Sequence, residues 1–265
     1  MGINYELIAL DVDGTLLTDD HELLGDVKEA VREASQRGAE IVLCTGRGPM
    51  GALPVLEELG LSGTLITHNG AATIQSFDRA VLFQYDIDQT YIGEFINYCR
   101  ENNIHYDLNT AFEMYVEMLT PETKAMYEFH NVQPTLMSID QRLPDKLVKL
   151  TLFGTKESMD EVQSYWEKRS PNLQIIRSGD LFIDVQHPGA SKGEALRQLA
   201  EGRSIAREKI LAIGNYYNDI SMLQFAGIGI AMSNSPDMVK EAADAVVGSN
   251  NESGVAAAIR HYALK

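Results

Sequence analysis

The chain has 265 residues, 45% hydrophobic and 23% charged, an ordinary globular composition with core material for one large domain or two modest ones. Its 38 acidic against 22 basic residues give a formal net charge of −16; that field repels polyanions and excludes general nucleic-acid binding, and most of the excess reads as surface solubility. Two cysteines, Cys44 and Cys99, are too few for a disulfide framework or a Cys-rich zinc site, and no apolar stretch approaches membrane-spanning length, so the expectation is a cytoplasmic protein without membrane partners.

Residues 7–10 form an apolar run that stops at Asp11, as a buried parallel strand does. Val27, Ala30, Val31 and Ala34 then recur at helical spacing, with Gly38 as the stop. A second run, 41–44, ends at Thr45-Gly46-Arg47, and a third begins at Leu65 and ends near Asn69-Gly70. Strand, helix, strand, helix, strand predicts a parallel sheet covered on both faces.

The middle of the chain has another grammar. Ile92, Phe95, Ile96 and Cys99 mark an amphipathic helix. Phe112, Met114, Val116 and Met118 alternate with Glu113, Tyr115 and Glu117, the pattern of a strand with one solvated face. A strand over 148–153, a helix through Met159, Val162 and Trp166, and a second alternation at Leu181, Ile183 and Val185 follow. After Ser191 the first pattern returns, with a helix through Leu199 and apolar runs over 210–213, 228–232 and 245–247. The expected fold is α/β: a parallel-sheet core from residues 1–81 and 188–265, with an α+β domain, 82–187, inserted between them.

Four constellations carry chemistry. In Asp11-Val12-Asp13-Gly14-Thr15, two carboxylates follow a strand, where open α/β sheets place ligands. Their mutual repulsion calls for a hard cation such as Mg²⁺; one carboxylate can then attack phosphorus while the other handles the leaving-group proton. An acidic turn with Gly14 at positive φ accounts for the same letters. Thr45-Gly46-Arg47 offers a hydroxyl and backbone N–H groups to phosphate oxygens, or is a capped strand-to-helix turn. Lys192, in Ser191-Lys192-Gly193-Glu194, can neutralise a phosphoryl group; Ser191 and Glu194 are explained by a capping box alone. Gly214-Asn215-Tyr216-Tyr217-Asn218-Asp219 puts polar oxygens on another strand tip, or is an Asn-rich turn. None of the six histidines is paired at zinc-ligand spacing.

Together these segments resemble the haloacid dehalogenase-like superfamily and its Cof-type sugar-phosphatase branch. His68-Asn69-Gly70-Ala71, Ile230-Ala231-Met232-Ser233-Asn234, Ala243-Asp244 and Glu252-Ser253-Gly254-Val255-Ala256 extend the likeness over nearly the whole core. The resemblance implies a Rossmann-like core with an inserted C2-type cap. It implies Asp11 as the nucleophile that becomes an aspartyl-phosphate, and Asp13 as general acid and then base. Thr45, Gly46, Arg47, Lys192 and Asn218 would bind the phosphoryl group. Mg²⁺ would take a carboxylate oxygen of Asp11 and the main-chain carbonyl of Asp13. The fourth motif usually opens Gly-Asp, and this chain has Gly214-Asn215. An amide oxygen still coordinates Mg²⁺ but removes a negative charge, so weaker metal affinity is expected, with Asp219 compensating through a water.

The leading expectation is therefore Mg²⁺-dependent hydrolysis of a small phosphate monoester, a sugar phosphate or similar. Phosphomutase-type transfer between sugar positions, and non-catalytic binding of a phosphate ligand, are the alternatives.

Overall fold

A computed structural model describes residues 4–130, 132–169 and 172–264; positions 1–3 and 265 of the expected core range lie outside them. The chain divides into two compact units, Met1–Phe83 with Ser191–Lys265, and Gln84–Ala190.

In chain order the strands begin with β1 (Leu7–Leu10), β2 (Glu40–Cys44), β3 (Thr64–Thr67), β4 (Ala72–Gln75) and β5 (Val81–Gln84). The second unit contributes β6 (His105–Asn109), β7 (Met114–Val116), β8 (Thr135–Leu136), β9 (Lys149–Phe153), β10 (Gln174–Gly179) and β11 (Phe182–Gln186). The chain then returns with β12 (Ile210–Gly214), β13 (Ile228–Met232) and β14 (Ala245–Val247).

The first unit is built on one eight-stranded sheet, ordered β14-β13-β12-β1-β2-β3-β4-β5. Strands from β14 to β3 run parallel, with Leu7 registered to both Ile210 and Glu40. The expectation of a parallel sheet holds there; β4 turns back antiparallel to β3 and leads to the edge. Every residue of β1 is buried, as a central strand covered on both faces requires. Leu7 and Ala9 share a core cluster with Ala195, Leu196 and Leu199 of α6 (Lys192–Arg203), each large side chain contributing about 1.5–3 kcal/mol. Helix α1 (Gly25–Gln36) buries Val27, Ala30, Val31 and Ala34, and Gly38 follows its end at φ +106°, the stop read from the sequence. The order reverses at β1, whose neighbours β2 and β12 come from opposite ends of the chain; that reversal opens a crevice at the strands' C-terminal edge.

The second unit is a six-stranded sheet, β10-β11-β9-β6-β7-β8, antiparallel except between β7 and β8. One face places Tyr106, Leu108, Leu150, Leu152, Ile183 and Val185 against α3 (Gln89–Glu101) and α5 (Lys156–Trp166). Phe95 and Trp166 stack there with ring centroids 3.8 Å apart. Alternate positions on the central strands carry Asp107, Asn109, Lys149, Asp184 and Gln186, also buried. The strand expected over 112–118 is only the three residues of β7. Thr110 ends it early by closing a turn: its N–H donates to Glu113 O at 2.9 Å, and its hydroxyl accepts Glu113 N–H at 3.0 Å. On the other side Thr120 caps α4 (Pro121–Phe129).

Candidate active site

Asp11 lies immediately past β1, at the reversal of sheet order, with only 6% of its side chain exposed. Lys192 opens α6, whose N-cap Ser191 accepts Glu194 N–H at 3.1 Å. The capping hydroxyl read from the sequence thus fixes the helix start, and the helix start aims the lysine. Its Nζ donates to Asp11 Oδ1 at 2.7 Å and to Asp219 Oδ1 at 2.6 Å, with the lysine side chain fully buried. Close approach is needed to hold it there: a Cβ on Gly193 would fall 2.4 Å from the Ser221 backbone, so only glycine lets α6 pack against α7 (Ile220–Phe225).

Two carboxylates beside one ammonium leave the cluster net negative. Burial first and the charge of Asp219 second push Asp11 up to about 7, against the pull of Lys192. Burial pulls the Lys192 ammonium down, and Asp11 and Asp219 more than reverse that, holding it protonated. Asp219 is held at both of its oxygens. Its Oδ1 is held by Lys192, and its Oδ2 accepts the N–H groups of Asn215 and Tyr216 at 2.8 and 2.9 Å. Both oxygens are engaged in aiming the lysine and shaping the loop after β12, contacts that the expectation of a water-mediated metal role for Asp219 did not include.

Asp13 is the exposed member of the pair, at 46% of its side chain. Arg47 grips it bidentately, Nε to Oδ2 at 2.8 Å and Nη2 to Oδ1 at 2.5 Å. The structure therefore places Arg47 on Asp13, a contact the sequence reading, which set it toward phosphate, did not foresee. Thr45 is buried, and its hydroxyl accepts Arg47 N–H at 3.1 Å, which leaves its own proton to donate.

The turn after β3 supports this loop. His68, Asn69 and Gly70 stand at φ +50°, +54° and +93°, a left-handed run that costs about 1–2 kcal/mol for each non-glycine residue. In return, His68 N–H donates to Arg47 O and Asn69 N–H to Thr45 O, both at 3.0 Å. Asn69 Oδ1 also accepts Asn218 Nδ2 at 2.9 Å, joining the second and fourth motifs. Asn234 similarly donates to Gly14 O at 2.9 Å. Both asparagines stood in segments of resemblance without a role; an Asn-Gly pair following an apolar strand was the one local signal for Asn69.

Asn215 completes the arrangement. One end of its amide lies 3.0 Å from Asp11 Oδ2, 3.0 Å from the main-chain O of Asp13 and 3.1 Å from Thr15 Oγ1. Gly14 makes room at φ +72°, and a Cβ there would fall 2.3 Å from the other end of the amide. Octahedral Mg²⁺ at about 2.0–2.1 Å from its ligands sets neighbouring oxygens about 2.9–3.0 Å apart. The spacing of Asn215 from the two candidate oxygens fits that requirement. Among the described residues no group of three or more His, Cys, Asp or Glu side chains could hold a metal, so such a site draws on a main-chain carbonyl and an amide.

Known proteins resemble this chain over nearly its whole length. The haloacid dehalogenase-like hydrolase family matches residues 8–259. The chain is 33% identical over 267 residues to the Bacillus subtilis putative phosphatase YxeH, covering 98% of this chain and 99% of that one. It is 30% identical to the B. subtilis 5-amino-6-(5-phospho-D-ribitylamino)uracil phosphatase YcsE, covering 99% and 97%. Among solved structures, the subclass IIB sugar phosphatase BT4131 superposes with a TM-score of 0.84 at 27% identity, covering 97% of this chain and 98% of that one. With the match running over nearly its whole length, the chain belongs to the haloacid dehalogenase-like hydrolases.

Proposed function

We propose that this hydrolase is a Mg²⁺-dependent phosphatase acting on a small phosphate monoester, a sugar phosphate or similar, through an aspartyl-phosphate on Asp11. The observation that carries the reading is Lys192, buried between Asp11 and Asp219 where the sheet order reverses. The phosphatase names of its relatives support it, and the sugar phosphatase among its structural neighbours supports the substrate class.

Asp11 Oδ1, held by Lys192, attacks phosphorus; the new O–P bond forms as the ester O–P bond breaks. Asp13 gives its proton to the leaving oxygen, and the Arg47 fork fixes where that carboxyl points. Asp13 then takes a proton from water as its oxygen attacks phosphorus, releasing inorganic phosphate and restoring Asp11. Lys192, the Thr45 hydroxyl, Gly46 N–H and Asn218 bind phosphoryl oxygens. Asp11 Oδ2, the main-chain O of Asp13 and Asn215 would hold Mg²⁺, which supplies positive charge to the transferring phosphoryl group. We assign residues 82–187 as the cap of this enzyme.

The test is phosphate release from a panel of monoesters, with and without Mg²⁺, by wild type and Asp11→Asn. Loss of the nucleophile lowers release by at least about 10³-fold. Wild-type release no faster than the variant's across the panel would sink the reading.

A further inference from the structure

Asn215 stands where the family pattern has a carboxylate, and its surroundings assign it a task that a carboxylate cannot perform. Asp11 Oδ2 and the main-chain O of Asp13 are acceptors only, and both lie 3.0 Å from the same end of the amide. Such a cluster is stable in two ways. Either that end is the NH₂, donating to both oxygens, or it is the oxygen and a cation lies among all three. The third neighbour, Thr15 Oγ1 at 3.1 Å, tolerates both, because its hydroxyl donates to the oxygen in one orientation and accepts at most a shared NH₂ proton in the other. The missing side chain at Gly14 leaves space for either orientation. An aspartate at 215 has no proton to offer and would set a further negative oxygen 3.0 Å from the buried Asp11.

Resting on the Mg²⁺ reading of this site, we propose that Asn215 is a built-in stand-in for the cation. Its NH₂ bridges Asp11 Oδ2 and the main-chain O of Asp13 until Mg²⁺ enters, and the amide then turns about its Cβ–Cγ bond to present Oδ1. Mg²⁺ thus competes with an internal donor, one of whose hydrogen bonds goes to a carboxylate. The protein keeps its site assembled without metal, at the expense of metal affinity. With aspartate in that place the balance reverses: affinity rises with ligand charge, and the cation-free site repels itself.

Thermal unfolding in EDTA and calorimetric Mg²⁺ titration of the full chain test this with wild type, Asn215→Asp and Asn215→Ala. In EDTA both variants melt below wild type, by about 3 °C or more. Asn215→Asp binds Mg²⁺ at least about tenfold more tightly than wild type, while Asn215→Ala binds no more tightly. If Mg²⁺ binds but either variant melts with wild type in EDTA, the stand-in is overturned and the metal site survives. An Asn215→Asp variant that gains no affinity over a binding wild type also overturns it. If neither wild type nor Asn215→Asp binds Mg²⁺, the metal reading itself falls, and the proposal with it.

Discussion

Each unit buries a lysine among aspartates, and the two clusters are built differently. Lys192 has a fully buried side chain and contacts Asp11 and Asp219 at 2.7 and 2.6 Å. These three residues arrive from separate places, the end of β1, the start of α6 and the loop after β12. Lys149 pairs with Asp184 at 3.3 Å on the face of the second unit's sheet, where Asp107, Thr151 and Asp184 lie in one cross-strand row. There the donors come from within the unit: Thr151 of the neighbouring strand to Asp184 at 3.1 Å, Asn109 of the same strand to Asp107 at 2.5 Å, and Tyr127 of α4 to Asp107 at 3.1 Å. Perturbed acidity does not separate the clusters, because burial is the first cause of both shifts, Asp11 to about 7 and Asp107 to about 6. Construction does. A polar row satisfied by its own sheet and the helix beside it is a way of completing a fold. Charges brought together by converging loops, beside a left-handed turn, mark a place built to act.

Removing each lysine should break the two clusters differently. Lys192→Met leaves Asp11 and Asp219 buried together without their cation. We expect a loss of about 5 kcal/mol in chemical denaturation and about 10³-fold slower phosphate release by the protein that remains folded. Lys149→Met is expected to lower stability by about 3–4 kcal/mol, since Asp184 keeps the Thr151 hydroxyl, with turnover per folded molecule at the wild-type level. Turnover that fell with Lys149→Met in folded protein would move that row from the structural side of the comparison to the substrate side.

The core cluster was legible in the sequence because its parts are local: an apolar run, then Asp11; a capping serine, then Lys192. What joins them was not. The grip of Arg47 on Asp13 spans loops 34 residues apart, and the Asn69–Asn218 bond spans 149; no spacing along the chain encodes either. The contact of Asp219 with Lys192 was not legible because an oxygen on a strand tip suits a metal and a lysine equally well, and only the fold brings the lysine to it. The polar row of the second unit went unnoticed for a related reason. Asp107, Lys149 and Asp184 follow the same alternation as any solvated strand face, and burial alone distinguishes them. His68, in the turn after β3, is likewise buried, at only 2% exposed, which no spacing along the chain indicates.

The two clusters share the direction of their shifted acidity, and differ slightly in how far along pH it extends. Asp107 goes from an ordinary 3.8 to about 6 on folding, burial outweighing Lys149, Asn109 and Tyr127. The native state therefore holds this proton where the unfolded chain has released it. Stability from this group is fully present below the ordinary value and is lost as pH rises to about 6, a loss of roughly 3 kcal/mol. Asp11 carries the same sign, but its loss continues to about 7. Urea unfolding between pH 4 and 8 separates them. Asp107→Asn should flatten the fall only up to about 6, and Asp11→Asn should flatten it up to about 7. A profile unchanged by Asp107→Asn would mean that Lys149 keeps that carboxylate ionised in the native state, setting it apart from Asp11 of the first unit.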